Sequence, residues 1–318
     1  MNLRKALLLA LAASSIGAGP AWACSSCGCT LNSDWASQGY AVSRGWRFDL
    51  RYDYFNQSDL RSGRDSVDVS SFEVPNEEEI QRTTINRNIS LGFDYSPSRS
   101  WGITVLLPRY DRWHSTLAED TTELSYSHSR GIGDARIVGR YQGFNPDAGF
   151  GVVFGLKLPT GATDIRFNAG PEQGERVDAG LQPGTGSTDA LVGLYQFGNL
   201  NPEWGYFAQA LLQQPLNSHD DFKPGTGINL NAGLRYNGWK VVSPQLQVNL
   251  RSERRESGDN ADAENSGATL AYLSPGVNFR FNAHWDGYLY TQFPLYQRVN
   301  GLQLEPERFY SVGLQYRM

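Results

Sequence analysis

Methionine is nearly absent from this chain, with two in 318 residues. Cysteine is almost as scarce, and its three copies, Cys24, Cys27 and Cys29, crowd into six residues near the N-terminus. A disulfide framework spread through the fold is therefore excluded. Histidine occurs four times. Acyl transfer needs a nucleophile with a base in reach. The pairs His114-Ser115 and His128-Ser129 read as loop residues, and no His-x-Ser strand motif with an Asn partner is present. The sequence thus points away from an enzyme. After residue 23 no apolar run approaches the roughly 20 residues of a membrane helix. The mean hydropathy of -0.46 looks soluble. A transmembrane barrel escapes such measures, because only alternate residues of each strand meet lipid.

Aromatics and glycine are abundant: 16 Tyr, 15 Phe, 8 Trp and 34 Gly. Arg4 and Lys5 precede an apolar stretch, Ala6 to Ala13, and Ala21-Trp22-Ala23 fits a small-residue cleavage site. Residues 1–23 therefore read as a Sec-type signal peptide. Its removal leaves 26 basic residues against 33 acidic, an acidic exported chain and a poor nucleic-acid binder.

Past that point one pattern recurs. In 243–253 Leu246, Val248 and Leu250 alternate with Gln245, Gln247, Asn249 and Arg251. Trp46, Phe48, Leu50 and Tyr52 alternate with Arg47, Asp49, Arg51 and Asp53. The same period of two marks 85–95, 226–238, 273–281 and 310–318, with less regular strands at 101–111, 132–142, 149–158, 188–197, 204–215 and 285–295. Twelve strands result. Their connections alternate, short after even strands and long after odd ones: 56–84, 112–131, 159–187, 216–226, 253–270 and 296–308. Trp46, Trp101, Phe150, Trp204, Trp239 and Trp285 begin odd strands, and Tyr95, Tyr141, Phe197, Tyr236, Phe281 and Tyr316 end even ones. Alternating loop lengths, an even strand count and one aromatic rim predict an all-β fold. It is a transmembrane antiparallel up-and-down β-barrel over 45–318, preceded by a Cys-containing periplasmic or plug segment, 24–44. Outer-membrane lipid, lipopolysaccharide and the barrel-assembly machinery are the partners this fold implies.

Alternation places Arg47, Arg51, Arg136, Arg140, Lys157, Arg235, Arg251, Arg280 and Arg317 on the lumen side, against Asp49, Asp53, Asp94, Asp134 and Glu253. A basic lumen would favour anions. Both signs occur on the same strands, so pairing across strands is the expected fate of most of these charges. The loops carry acidic runs at 76–79, 219–221 and 258–265. Such oxygen-rich segments can hold Ca²⁺, but their spacing does not match an EF-hand, and solvated loops are expected. Cys24, Cys27 and Cys29 form a candidate thiolate cluster for a soft metal ion. A disulfide with one spare thiol, and lipidation of Cys24, remain alternatives. Gly28 stands where c-type haem attachment needs histidine.

The segments GIGDARIVGRYQ (131–142), LKLPTGATD (156–164), SPGVNFRFN (274–282) and LLPRY (106–110) resemble the outer-membrane proteins grouped as a MetA pathway of phenol degradation. That resemblance spans roughly 45–318. It implies kinship with barrels that transport hydrophobic compounds and with the exporter of functional amyloid subunits. Its motifs are structural, so they transfer no substrate. The expected function is passive or gated passage of small molecules across the outer membrane, with no cofactor beyond the candidate soft metal. The alternative is a pore or anchor for a periplasmic partner, in protein secretion or in metal and redox handling through the cysteines.

Overall fold

A computed structural model of the chain describes residues 38–39, 44–72, 75–76, 79–145 and 147–318. The signal peptide and all three cysteines lie outside these residues. The chain runs as β1 (Gly45–Ser62), β2 (Asp65–Ser66), β3 (Ile80–Ser96), β4 (Trp101–Leu117), β5 (Leu124–Ile132), β6 (Ala135–Tyr141) and β7 (Phe150–Leu158). It continues as β8 (Asp189–Asn199), β9 (Trp204–Pro215), β10 (Gly227–Tyr236), β11 (Val242–Glu253), β12 (Ala268–Arg280), β13 (Trp285–Val299) and β14 (Leu302–Arg317). Successive wall strands pair antiparallel, and β14 returns to β1 from Arg47–Arg317 to Ser62–Leu302. The sheet is closed. It has twelve wall positions, because β2 is a stub on β1 and because β5 and β6 share one place beside β4. Closure leaves no open edge, as a lipid environment requires.

The alternation read from sequence matches the two faces. Leu246 and Val248 are each 46% exposed on the outside, whereas Gln247 and Asn249, which alternate with them, are fully buried inside. Trp46, Leu50, Leu91, Ile103, Leu194, Leu230 and Leu314 also face outward. An apolar outer face over a polar interior is the inverse of a soluble sandwich. It leaves this surface for hydrocarbon.

At the short-turn end the aromatics pair across strands. Trp46 stacks near Tyr95, Trp101 near Tyr141 and Trp285 near Tyr316, with ring centroids 4.5, 4.7 and 4.8 Å apart. Phe197 departs from the expected rim. It lies parallel to inward-facing Tyr195 and against Gly39, because β8 turns its odd residues inward from Asp189 onward.

The long-loop end differs more. Segments 112–131 and 296–308 are mostly strand. β4 and β5 pair up to Leu117–Leu124, and Asn300-Gly301 alone separates β13 from β14. Gly301 turns with a φ of 56°, which glycine adopts without a Cβ penalty. Alternation weakens in these extensions because their outer faces leave the apolar belt. The long connection 159–188 folds inward and covers the free edge of β5. There Tyr126 N donates to Ala169 O (2.8 Å) and His128 N to Asn168 Oδ1 (2.7 Å). At the break between β5 and β6, Asp134 accepts from Gly161 N, Thr185 N and Thr185 Oγ1 at 3.0–3.1 Å. Phe167, Val177 and Leu181 give this connection its own small core.

Candidate functional site in the barrel lumen

The lumen lining combines neutral amides with charged side chains. The amides lie along β10–β13. Asn249 donates to Asn231 Oδ1 (2.6 Å) and Gln247 Oε1 (3.2 Å) and accepts from Ser274 Oγ (2.6 Å). Ser274 in turn accepts from Gln292 Nε2 (3.1 Å). Tyr195 and Tyr290 turn inward and donate to Gln142 Oε1 (2.6 Å) and Asn278 Oδ1 (3.0 Å). Gln38 lies inside the short-turn end, accepting from Gln245 Nε2 (3.1 Å) and Arg235 Nη1 (3.3 Å). Side chains, with the described end of the N-terminal segment, thus narrow the bore.

Charged side chains also line the lumen, Arg235, Arg251 and Arg280 on these same strands, and most are paired. Arg47 and Arg140 both bind Asp94, Arg47 at 2.7 Å. Lys157 lies 3.1 Å from both Asp134 and Asp189, and all three are buried. Arg51 pairs with Asp53 (2.8 Å) and Arg251 with Glu253 (2.7 Å), each along its own strand. Arg280 and Arg317 share Asp286, and Arg280 sits half-exposed at the rim rather than within the bore. Arg235 bonds Asn237 and Gln38. Asp189 and Asp286 escaped the sequence count because their strands alternate imperfectly. With them the excess of cations falls from nine against five to nine against seven. Of the nine cations expected on the lumen side, Arg136 alone makes no hydrogen bond or ion pair with another described residue. It projects from β6, and Tyr110, Arg251, Asp189 and Arg51 are the ionisable groups that act on it most strongly. Arg51 and Arg251 belong to β1 and β11, so three guanidinium groups from separate parts of the wall face one stretch of lumen.

The two His-Ser pairs fall on strands. Adjacent strand residues point to opposite faces. His114 is buried inside, with Nδ1 2.9 Å from Thr84 Oγ1. His128 faces out, 2.9 Å from Asp111 and stacked on Trp113. Neither histidine can therefore meet the serine beside it on its own strand.

Above the lumen a vestibule has formed that the sequence had divided among solvated loops. Glu79 precedes β3, Glu172 and Asp178 lie in the connection 159–188, and Glu256 and Asp262 lie between β11 and β12. Burial, with Glu79, Asp262, Glu256 and Glu172 facing it, holds the Asp178 carboxyl well above the ordinary range. Burial and the Glu79 charge push Glu172 up to about 7, and burial pushes Asp262 up to about 6. Raised carboxyl values mean that the packed loops hold protons more tightly than separated loops do. Their contribution is complete below the ordinary carboxyl range and is lost as pH rises through 6 to 7. In chelator, loop 159–188 is expected to be more protected from hydrogen exchange at pH 5 than at pH 8, after correction for intrinsic rates. Flat protection across that interval would contradict the assignment.

No protein-family model matches the chain, and no curated protein does. Among solved structures it is similar to the COG4313 outer membrane channel from Pseudomonas putida F1. The identity is 12%, the match covers 87% of this chain and 97% of that one, and the TM-score is 0.64. It is also similar to the β domain of the Bordetella autotransporter BrkA, with 13% identity, 87% and 100% coverage and a TM-score of 0.47. For the TodX monoaromatic hydrocarbon channel the values are 10%, 86% and 90%, and 0.47. At these identities the first similarity establishes the fold, that of an outer-membrane β-barrel, and the other two add nothing about this chain.

Proposed function

We propose that the chain is an outer-membrane channel for small solutes, with a narrow lumen that favours anions at Arg136. One observation carries this reading. Most other lumen cations pair with carboxylates and Arg235 bonds amide oxygens, whereas Arg136 has no hydrogen-bond or ion-pair partner among the described residues and feels Tyr110, Arg251, Asp189 and Arg51. Charged groups at a constriction bias which ions pass. A barrel of twelve strands lies between those filled by side chains and those with an open aqueous channel. Small, gated conductance therefore fits better than a wide pore. Planar-bilayer recording tests both parts. The expected result is a small single-channel conductance whose reversal potential in a KCl gradient shows anion preference, with Arg136→Gln moving it toward zero selectivity. A barrel that stays silent at all voltages sinks the channel reading. A conducting barrel whose selectivity ignores Arg136→Gln removes the anion site alone.

A further inference from the structure

One patch of the outer wall breaks the apolar surface. Arg87 of β3, Arg109 of β4 and Arg130 of β5 all point outward and are exposed. The β3–β4 register pairs Asn86 with Arg112 and Ile89 with Arg109, which sets Arg87 opposite Asp111, and β4–β5 pairs Asp111 with Arg130. Neighbouring strands lie about 4.8 Å apart, so Arg87 and Arg130 spring from backbone about 10 Å apart, and Arg109 from about 7 Å below that row. Among the described residues Asp111 is the one outward carboxylate of these three strands, and it holds His128 (2.9 Å) and Arg130 (3.2 Å). The side chains of Arg87 and Arg109 make no hydrogen bond or ion pair with another described residue. Strands β8 to β11, in contrast, turn no charged side chain outward.

The height of this patch is a second and independent sign. Trp101, at the start of β4, marks the short-turn rim, and Arg109 and Asp111 follow eight and ten residues further along the strand. At about 3.4 Å per residue and a tilt near 40° they stand roughly 21 and 26 Å above that rim. The apolar band of such barrels is about 25 Å tall, so the cations sit at its far border. Exposed Leu91 and Leu107 pair just below them. Just above lie Trp113, stacked on His128 with ring centroids 3.6 Å apart, and exposed Tyr126. Amphipathic rings collect at the headgroup level, which fixes the same border.

We propose that Arg87, Arg109 and Arg130 form a docking site for the phosphorylated headgroup of lipopolysaccharide in the outer leaflet. Charge complementarity selects this occupant: three guanidinium groups face one carboxylate on the wall of a chain whose net charge is -5. The long-loop end is the outer one, so the border they occupy is where the phosphates of that lipid lie. The guanidinium fork matches phosphate oxygens two at a time, and arms of this spacing can close on a single phosphate. The site uses outward-facing residues alone and therefore stands apart from the channel reading of the lumen. It gives one side of the barrel, β3 to β5, a preferred lipid that the uncharged face of β8 to β11 lacks.

Native mass spectrometry of the full-length barrel in detergent, titrated with purified lipid A in the presence of EDTA, tests the site. The expected result is saturable retention of lipid A that its phosphate-free form does not reproduce. Arg87→Gln or Arg109→Gln should weaken retention about fivefold and the double variant roughly thirtyfold, the contribution typical of one and of two basic residues at an anionic lipid surface. Arg99→Gln, exposed in the short turn at the other end of the barrel, should leave it unchanged. Each variant is first checked for the heat-modifiable gel migration of a folded barrel, which outward-facing substitutions preserve. No saturable retention, equal retention of the phosphate-free lipid, or unchanged affinity in the double variant overturns the proposal. Retention that EDTA abolishes would replace the guanidinium contacts with a divalent bridge, and displacement by inorganic phosphate at equal concentration would make the patch a free-anion site; either result also overturns it.

Discussion

Lys157→Met is expected to lower the stability of the folded barrel by about 3–5 kcal/mol, the cost of stranding buried charges without their partner. The Lys157 ammonium group sits 3.1 Å from the carboxylates of Asp134 and Asp189, and the three side chains are 4%, 7% and 0% exposed. Methionine keeps most of the volume and removes the charge. Two carboxylates then remain in a space with little water. Asp189 keeps Gln213 Nε2 (2.5 Å) and Ser187 Oγ (2.6 Å) as donors, and Asp134 keeps the loop amides, so folding is weakened rather than abolished. The triple change Lys157→Met, Asp134→Asn, Asp189→Asn removes all three charges and should recover most of the loss. Urea unfolding of barrels refolded into lipid vesicles gives the comparison. A single variant that unfolds at the wild-type midpoint would show that the ion triad contributes nothing.

Val248→Arg is expected to cost about 2–4 kcal/mol, the range for a cation placed on the lipid face near mid-bilayer. Val248 stands between Leu246 and Leu250 on the outer face of β11, opposite Ala232 and Leu273 of the neighbouring strands. Val248→Leu, at the same site, should stay within about 0.5 kcal/mol, as surface changes without a special mechanism do. The same unfolding assay reads both, and a matched loss in the two variants would remove the lipid-facing assignment. Asn249, one residue on, gives no permissive control for a large cation. Alternation alone makes it a lumen residue open to substitution, but its amide is fully buried among Asn231, Gln247 and Ser274. A side chain that faces a lumen need not face water when the lumen is filled.

The alternating order of β1, β10 and β11 was legible in the chain because each strand separates lipid from a polar interior. A period of two is the only pattern that serves both sides at once. The aromatic rim was legible for a related reason, since rings with one polar edge collect where lipid meets water. Closure and strand order followed from those two signals. Phe197 shows their limit: its place in sequence put it on the rim, and the inward phase of β8 put it in the lumen. The lumen charges were legible as a set but not as pairs. Arg47 meets Asp94 through the β1–β3 register, and Lys157 meets Asp189 through the β7–β8 register. Register follows from hydrogen bonds between strands, and no residue count along one strand contains it. The vestibule is the clearest case. Glu79, Asp178 and Asp262 lie far apart in sequence, in segments without periodicity, and each alone reads as a solvated loop carboxylate. Only the closed barrel, by gathering its long connections over one opening, makes them neighbours. There burial and like charge give them a chemistry that none has by itself.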